Sequence, residues 1–208
     1  MAGLSLRAAA RRAKVSAMAP YRHFADKEAL LAAVAEYGFR QLAARLNAAA
    51  AATDPRAGLG ALGVAYVVFA REEPSLFKLM FGPSIEKKSA HPALDDAGCA
   101  CFDALRQAVE AASFFDGDRD LGDVSLACWS LVHGLASLMV DGRLAEEDAG
   151  SAEAVATRLT RLTNDAFAAL GKVALAARNA ECGIAMNVGP ERTGISGINP
   201  RRRSSIAP

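Results

Sequence analysis

Three small polar residues, Ser5, Ser16 and Asp26, each stand at the head of a helix-forming run, so their spacing leaves room for two short helices before a long one. Ser5 caps a first helix to about Ala13, Lys14-Val15 make a tight turn, and Ser16 caps a second short helix ending near Phe24. Asp26 then caps a third helix, running to about Leu46 or Ala51, whose Leu30, Leu31, Val34, Phe39, Leu42 and Leu46 form an apolar stripe near helical period. Short helix, turn, short helix is the outline of a helix-turn-helix reading head. Val15, Phe24 and Leu30 are read as its small core.

Charge agrees with that outline. Residues 1–27 carry Arg7, Arg11, Arg12, Lys14, Arg22 and Lys27 against Asp26 alone, a net of +5. A patch of this kind neutralises phosphates. Residues 28–170 hold 12 basic and 20 acidic side chains, so the whole-chain value of +1 hides a basic start and an acidic middle.

Alanine dominates and β-branched and aromatic residues are sparse, which predicts an all-α fold. Asp54-Pro55 opens a helix to Glu72, with Gly58, Gly60 and Gly63 weakening its first turns. Pro74 opens a short one closed by Gly82-Pro83, and Pro92 another to about Phe114, with Leu94, Cys101, Phe102, Leu105 and Val109 as its buried side. Asp120 to Asp141 and Ser151 to about Leu170 complete the body, ended by Gly142 and Gly171. The first of these two looks buried on both sides, through Val124, Cys128, Leu131, Leu135 and Leu138 and through Trp129, Val132, Ala136 and Val140. The second carries Val155, Leu159, Leu162, Ala166 and Leu170 at steps of three and four. Paired across a two-fold axis, these helices predict a four-helix interface. The expected organisation is a reading head with its connecting helix over 1–46, a helical effector-binding and dimerisation domain over 47–171, and a disordered tail over 172–208 that carries the run Arg201-Arg202-Arg203.

Several classes of function find no support. The longest nearly apolar runs, Leu59 to Ala70 and Leu131 to Val140, fall short of the roughly 20 residues that cross a bilayer, and the start lacks a signal pattern, so a cytoplasmic location without a membrane partner is expected. Cys99, Cys101, Cys128 and Cys182 are read as reduced thiols. Cys99-x-Cys101 with His91 lacks a fourth ligand and the usual spacing, so no metal and no cofactor is expected. Nucleophile-base arrangements and phosphate-cradling glycine loops are missing, which argues against an enzyme.

Ala10, Ala13, Val15, Ser16, Tyr21, His23, Phe24 and Lys27, in the pattern A-x-x-A-x-V-S-x-x-x-x-Y-x-H-F-x-x-K, resemble the helix-turn-helix of the tetracycline-repressor (TetR) family of bacterial transcriptional regulators. Trp129-x-x-x-His133-Gly134 is similar to the WHG signature of one class of that family's ligand-binding domains, so the resemblance spans about residues 3–171. It implies a homodimeric, DNA-binding regulator of the repressor type that grips a palindromic operator in double-stranded DNA and is released by a small apolar effector. In that reading Tyr21, His23, Lys27 and Ser5 meet phosphates, and Arg7, Ala17, Met18, Ala19 and Arg22 face base edges.

The implied effector site draws on Tyr66, Phe69, Phe77, Met80, Phe81, Phe102 and Trp129, bulky apolar side chains on helices expected to converge, with His133 beside them. Trp129 and His133 also have a plain reading, as packing and as a hydrogen-bonded core histidine. Two departures stand out. The family has glycine at the inter-helix position held here by Lys14, and its first helix is expected to be missing ahead of Leu4, which would leave Leu4, Leu6, Ala9 and Phe24 uncovered. The alternative function is therefore a truncated ligand-binding or dimerisation module with weak or no DNA binding.

Overall fold

The computed structural model describes residues 5–51, 54–86, 90–113, 121–144 and 150–187, with side chains of the last helix described as far as Lys172. Seven α-helices and no strand occur among the described residues: α1 (Leu6–Arg12), α2 (Lys27–Ala50), α3 (Pro55–Glu72), α4 (Pro74–Phe81), α5 (Pro92–Ala112), α6 (Leu121–Val140) and α7 (Ala152–Asn187). The chain divides into two compact units, 1–171 and 172–208.

Helix starts follow the caps. Ser5 Oγ accepts from the Ala8 amide at 3.1 Å and Asp26 Oδ1 from the Ala29 amide at 2.8 Å, each satisfying an amide that the first helical turn leaves free. Asp54 takes the Arg56 and Ala57 amides at 3.3 and 3.2 Å, ahead of Pro55. Pro74 and Pro92 occupy the first turns of α4 and α5, where no amide hydrogen is needed. Ser113, at φ +49°, and Gly142, at φ +67°, end α5 and α6 through left-handed residues.

The second short helix expected between Ser16 and Phe24 does not form. A single 3-10 turn, Pro20–Arg22, stands in its place. Pro20 has no amide hydrogen to return to Ser16, and the segment closes instead through short-range bonds: the Ala19 amide to Ser16 O at 3.0 Å and the Arg22 amide to Ala19 O at 3.2 Å. Val15, expected in the core, is largely exposed, and Leu30 only half-buried. Leu6 and Ala10 of α1 are buried.

α2 lies along α5 and α3, and α6 packs on α3 and α5. α4 sits against α2, where Gly38 admits Met80 and Leu76: a Cβ there would come within 2.6 Å of Met80 Sδ and 2.9 Å of Leu76 Cδ1. Gly63 does the same deeper in the body, since a Cβ would meet Thr160 Cγ2 at 2.6 Å and Val132 Cγ1 at 3.2 Å. Gly63, which weakens α3 as a helix, thus lets α3, α6 and α7 close on one another. α6 has the length and apolarity of a membrane span, but it is a core helix: Val124, Cys128, Val132, Leu135, Ala136 and Met139 are buried. One expected buried residue, Leu138, faces outward, as does Phe102 on α5 in part.

The last helix does not stop at Gly171. It continues to Asn187, because the alanine-rich run beyond Lys172 has high helix propensity and each of the interior glycines, Gly171 and Gly183, costs only about 1 kcal/mol. The expectation of a disordered tail fails for that stretch; Arg201, Arg202 and Arg203 lie outside the described residues.

Candidate functional site

Two sites take shape, one at the basic start and one inside the body. At the start, α1 packs against the 3-10 turn, and Lys14 between them adopts φ +56°. A left-handed residue lets the chain reverse sharply, with the Lys14 amide bonded to Arg11 O at 3.1 Å and the Val15 amide to Ala10 O at 3.0 Å. Ala17 and Met18 then project freely, Tyr21, Arg22 and His23 follow on the exposed turn, and Ala19 is half-buried. Lys27 is the first residue of α2, next to its Asp26 cap. Arg7 is exposed on α1 and Ser5 caps it. The candidate reading residues other than Arg7 and Ser5 thus fall on one continuous, mostly exposed stretch, and the amides opening α2 stand beside Lys27.

Inside the body, α2, α3, α4, α5, α6 and α7 line a cavity of about 500 Å³. That volume suits a small organic molecule. Tyr66, Phe81, Phe102 and Trp129, all expected from the sequence, are among its walls, with Phe39, Leu46 and Leu62. The remaining four candidates stand elsewhere. Phe69 is buried beneath Arg45, whose guanidinium carbon lies 5.3 Å from the ring centroid and whose other partner is Glu72. Met80 fills the space at Gly38. Phe77 and His133 form a layer behind Tyr66, with ring centroids 5.5 Å apart.

The polar centre of that layer is a hydrogen bond of 2.8 Å between Tyr66 Oη and His133 Nδ1. Burial drives the Tyr66 phenol well above its usual range, against a smaller opposite effect from the Trp129 hydrogen bond, so the hydroxyl remains a donor. Burial also lowers the His133 pKa, which favours the neutral imidazole near pH 7, and in the tautomer protonated on Nε2 its Nδ1 accepts from the Tyr66 hydroxyl. Phe81 stacks edge-on against Phe39 of α2, centroids 5.2 Å apart, and lies 4.7 Å from the His133 ring.

Sequence reasoning missed the polar and sulfur-bearing walls: Asp95, Cys99, Cys101, Cys128, Thr160, Thr163 and Asn164. Asp95, Gly98, Cys99 and Phe102 recur at helical spacing, a pattern that bulk and apolarity do not pick out. Cys101 points inward, donating to Phe39 O at 3.3 Å, while Cys99 is exposed; burial pushes the Cys101 thiol up to about 12 and Cys128 up to about 11. Both buried thiols are therefore protonated and unreactive. Among the described residues no group of three or more His, Cys, Asp or Glu is placed to hold a metal ion.

Two family profiles cover the regions that hold these candidate sites. Residues 1–34 match the profile of bacterial regulatory proteins of the tetR family, and residues 59–163 that of the tetracyclin repressor-like C-terminal domain. The chain belongs to the TetR family. Among solved structures, the TetR-family chain is similar to a protein of unknown function from Rhodococcus sp. RHA1, at 35% identity and TM-score 0.68, over 81% of this chain and 87% of that one. It is also similar to SCO4313, proposed to be a regulatory protein, at 25% identity and TM-score 0.60, over 79% of this chain and 84% of the other. No curated protein matches the sequence. The TetR-family chain is a transcriptional regulator, with an amino-terminal DNA-binding part and a helical carboxy-terminal domain. Regulators of this family bind DNA and dimerise.

Proposed function

We propose that this regulator is a cytoplasmic repressor, released from a palindromic operator when a small molecule occupies the cavity. One observation carries the reading: α2 begins at Lys27, in the basic head, and supplies two cavity walls, Phe39 and Leu46, without a break. About 18 Å of helix separates Lys27 from Phe39, so a tilt imposed at the wall is delivered to the head.

α4 supplies the lever. Its Phe81 lines the cavity and leans on Phe39, and its Met80 is seated against Gly38. Lys78 ties the same helix to Asp141 at the end of α6 through a 2.8 Å ion pair. An occupant that displaces Phe81 moves α4 against α2 and changes the separation of two heads in a dimer. Operator affinity then falls by the ratio of the occupant's affinities for the two arrangements.

Tyr21, His23, Lys27 and Ser5 are proposed to hold phosphates, and Arg7, Ala17, Met18, Ala19 and Arg22 to face the bases. The exposure of nearly all of them supports these roles. The test is fluorescence anisotropy with a duplex that the protein itself enriches from a random library. Expected are binding that weakens steeply with salt and a cavity-filling variant, Leu105→Trp, that keeps its helix content yet binds the duplex more weakly. Salt-independent binding, or a filled cavity without effect on the duplex, overturns the reading.

A further inference from the structure

We propose that the cavity is built for a lipophilic cation, an amine or ammonium on an apolar skeleton, with Asp95 as its counter-charge. This rests on the reading of the cavity as the effector site and names the chemical class of its occupant.

The argument is a count of donors and acceptors. Among the lining residues there is no Lys, Arg or His, and the sole charged side chain is Asp95. Among the described residues no cation pairs with that carboxylate. Most donors of the other polar walls are already committed. Tyr66 is bonded to His133, Thr160 Oγ1 donates to Ala156 O at 2.9 Å, Thr163 Oγ1 to Leu159 O at 2.8 Å, and Asn164 Nδ2 to Arg56 O at 3.1 Å. Apart from the second N–H of Asn164 and the weak thiol donors of Cys99 and Cys128, the polar walls therefore offer acceptors rather than donors. Such a wall satisfies N–H groups and leaves a carboxylate unpartnered, which costs heavily in an apolar cavity.

Geometry places the charge at the entrance. Asp95, Gly98, Cys99 and Phe102 share one face of α5, at i, i+3, i+4 and i+7, and all four line the cavity. Gly98 leaves a gap on that face, since a Cβ there would meet nothing within 4 Å. Beyond the gap stand Phe102 and Trp129, edge to face with centroids 6.1 Å apart, and aromatic faces attract cations. The acidic surplus of the body draws cations toward the entrance as well.

The test uses three probes with one skeleton, phenylbutylammonium, phenylbutanol and phenylbutyrate, titrated into the full chain and read by emission of Trp129, its sole tryptophan, and by calorimetry. Expected is binding of the ammonium about tenfold or more tighter than the butyrate. Asp95→Asn should abolish that preference and Asp95→Lys reverse it, with the alcohol unchanged by either. If the alcohol binds but butyrate binds as well as the ammonium, or the ratio survives Asp95→Asn, the cation proposal is overturned while the effector cavity stands. If none of the three binds, both fall.

Discussion

Lys14 shows how one backbone angle shapes the reading head. A side chain at φ +56° crowds the following carbonyl, a cost of about 1 kcal/mol that glycine avoids. Lys14→Gly should therefore raise the stability of the head by about that amount. Lys14→Ala, which loses the same charge but keeps the Cβ, should not. Thermal melts of the two variants side by side check this, and equal melts would mean the angle is unstrained. Tyr66 and His133 make a second prediction. Because burial lowers the folded pKa of His133, the unfolded chain binds the extra proton first as pH falls. Its contribution is complete above the unfolded value of about 6.5 and declines as the pH falls from there toward the folded value. Melting temperature should drop over that window in the wild type and less so in His133→Gln. Tyr66→Phe, which leaves Nδ1 without its donor, should cost about 1 kcal/mol at neutral pH.

Close approach between helices separates one glycine from the next. Gly63→Ala puts a methyl against Thr160 Cγ2 and Val132 Cγ1, both on β-branched side chains with little freedom to turn aside. It should destabilise by about 1–3 kcal/mol despite alanine's better helix propensity, as measured by urea unfolding; a neutral or stabilising result would mean that α3, α6 and α7 are not closed as described. Nothing in the sequence distinguishes Gly63 from Gly58 or Gly60, because the distinction lies in what arrives from α6 and α7. What was legible was local: the Ser5, Asp26 and Asp54 caps and the proline starts of α3, α4 and α5 all act within a few residues. The errors were of two other kinds. Between Ser16 and Phe24 the missing amide hydrogen of Pro20 outweighed a plausible cap, and beyond Gly171 high propensity outweighed a plausible stop. For the cavity, aromatic size found Tyr66, Phe81, Phe102 and Trp129. It also selected Phe69 and Met80, which fill spaces between helices, and passed over Asp95 and Asn164, whose role depends on which way a helix face turns.

Assembly follows from what the folded chain leaves uncovered. Leu126 and Leu138 on α6 are 51% and 47% exposed, and Leu162 and Leu170 on α7 are 65% and 57% exposed. On α6 they share a face with Ser130 and Gly134, at steps of four residues, and small residues between leucines allow two helices to approach closely. Side chains of this size remain in water only at a free-energy cost, and a second copy related by a two-fold axis removes it for both copies at once. In the proposed dimer the same axis would set two reading heads on one duplex. Leu138→Glu with Leu162→Glu should therefore leave the fold of each chain intact, because neither side chain contributes to the core, while converting the dimer to a monomer in analytical ultracentrifugation. Operator affinity should drop about a hundredfold or more, since the second head then no longer binds at the high effective concentration that the first provides. A double variant that still sediments as a dimer would place the interface on another face. One that sediments as a monomer but holds the operator undiminished would show that a single head suffices.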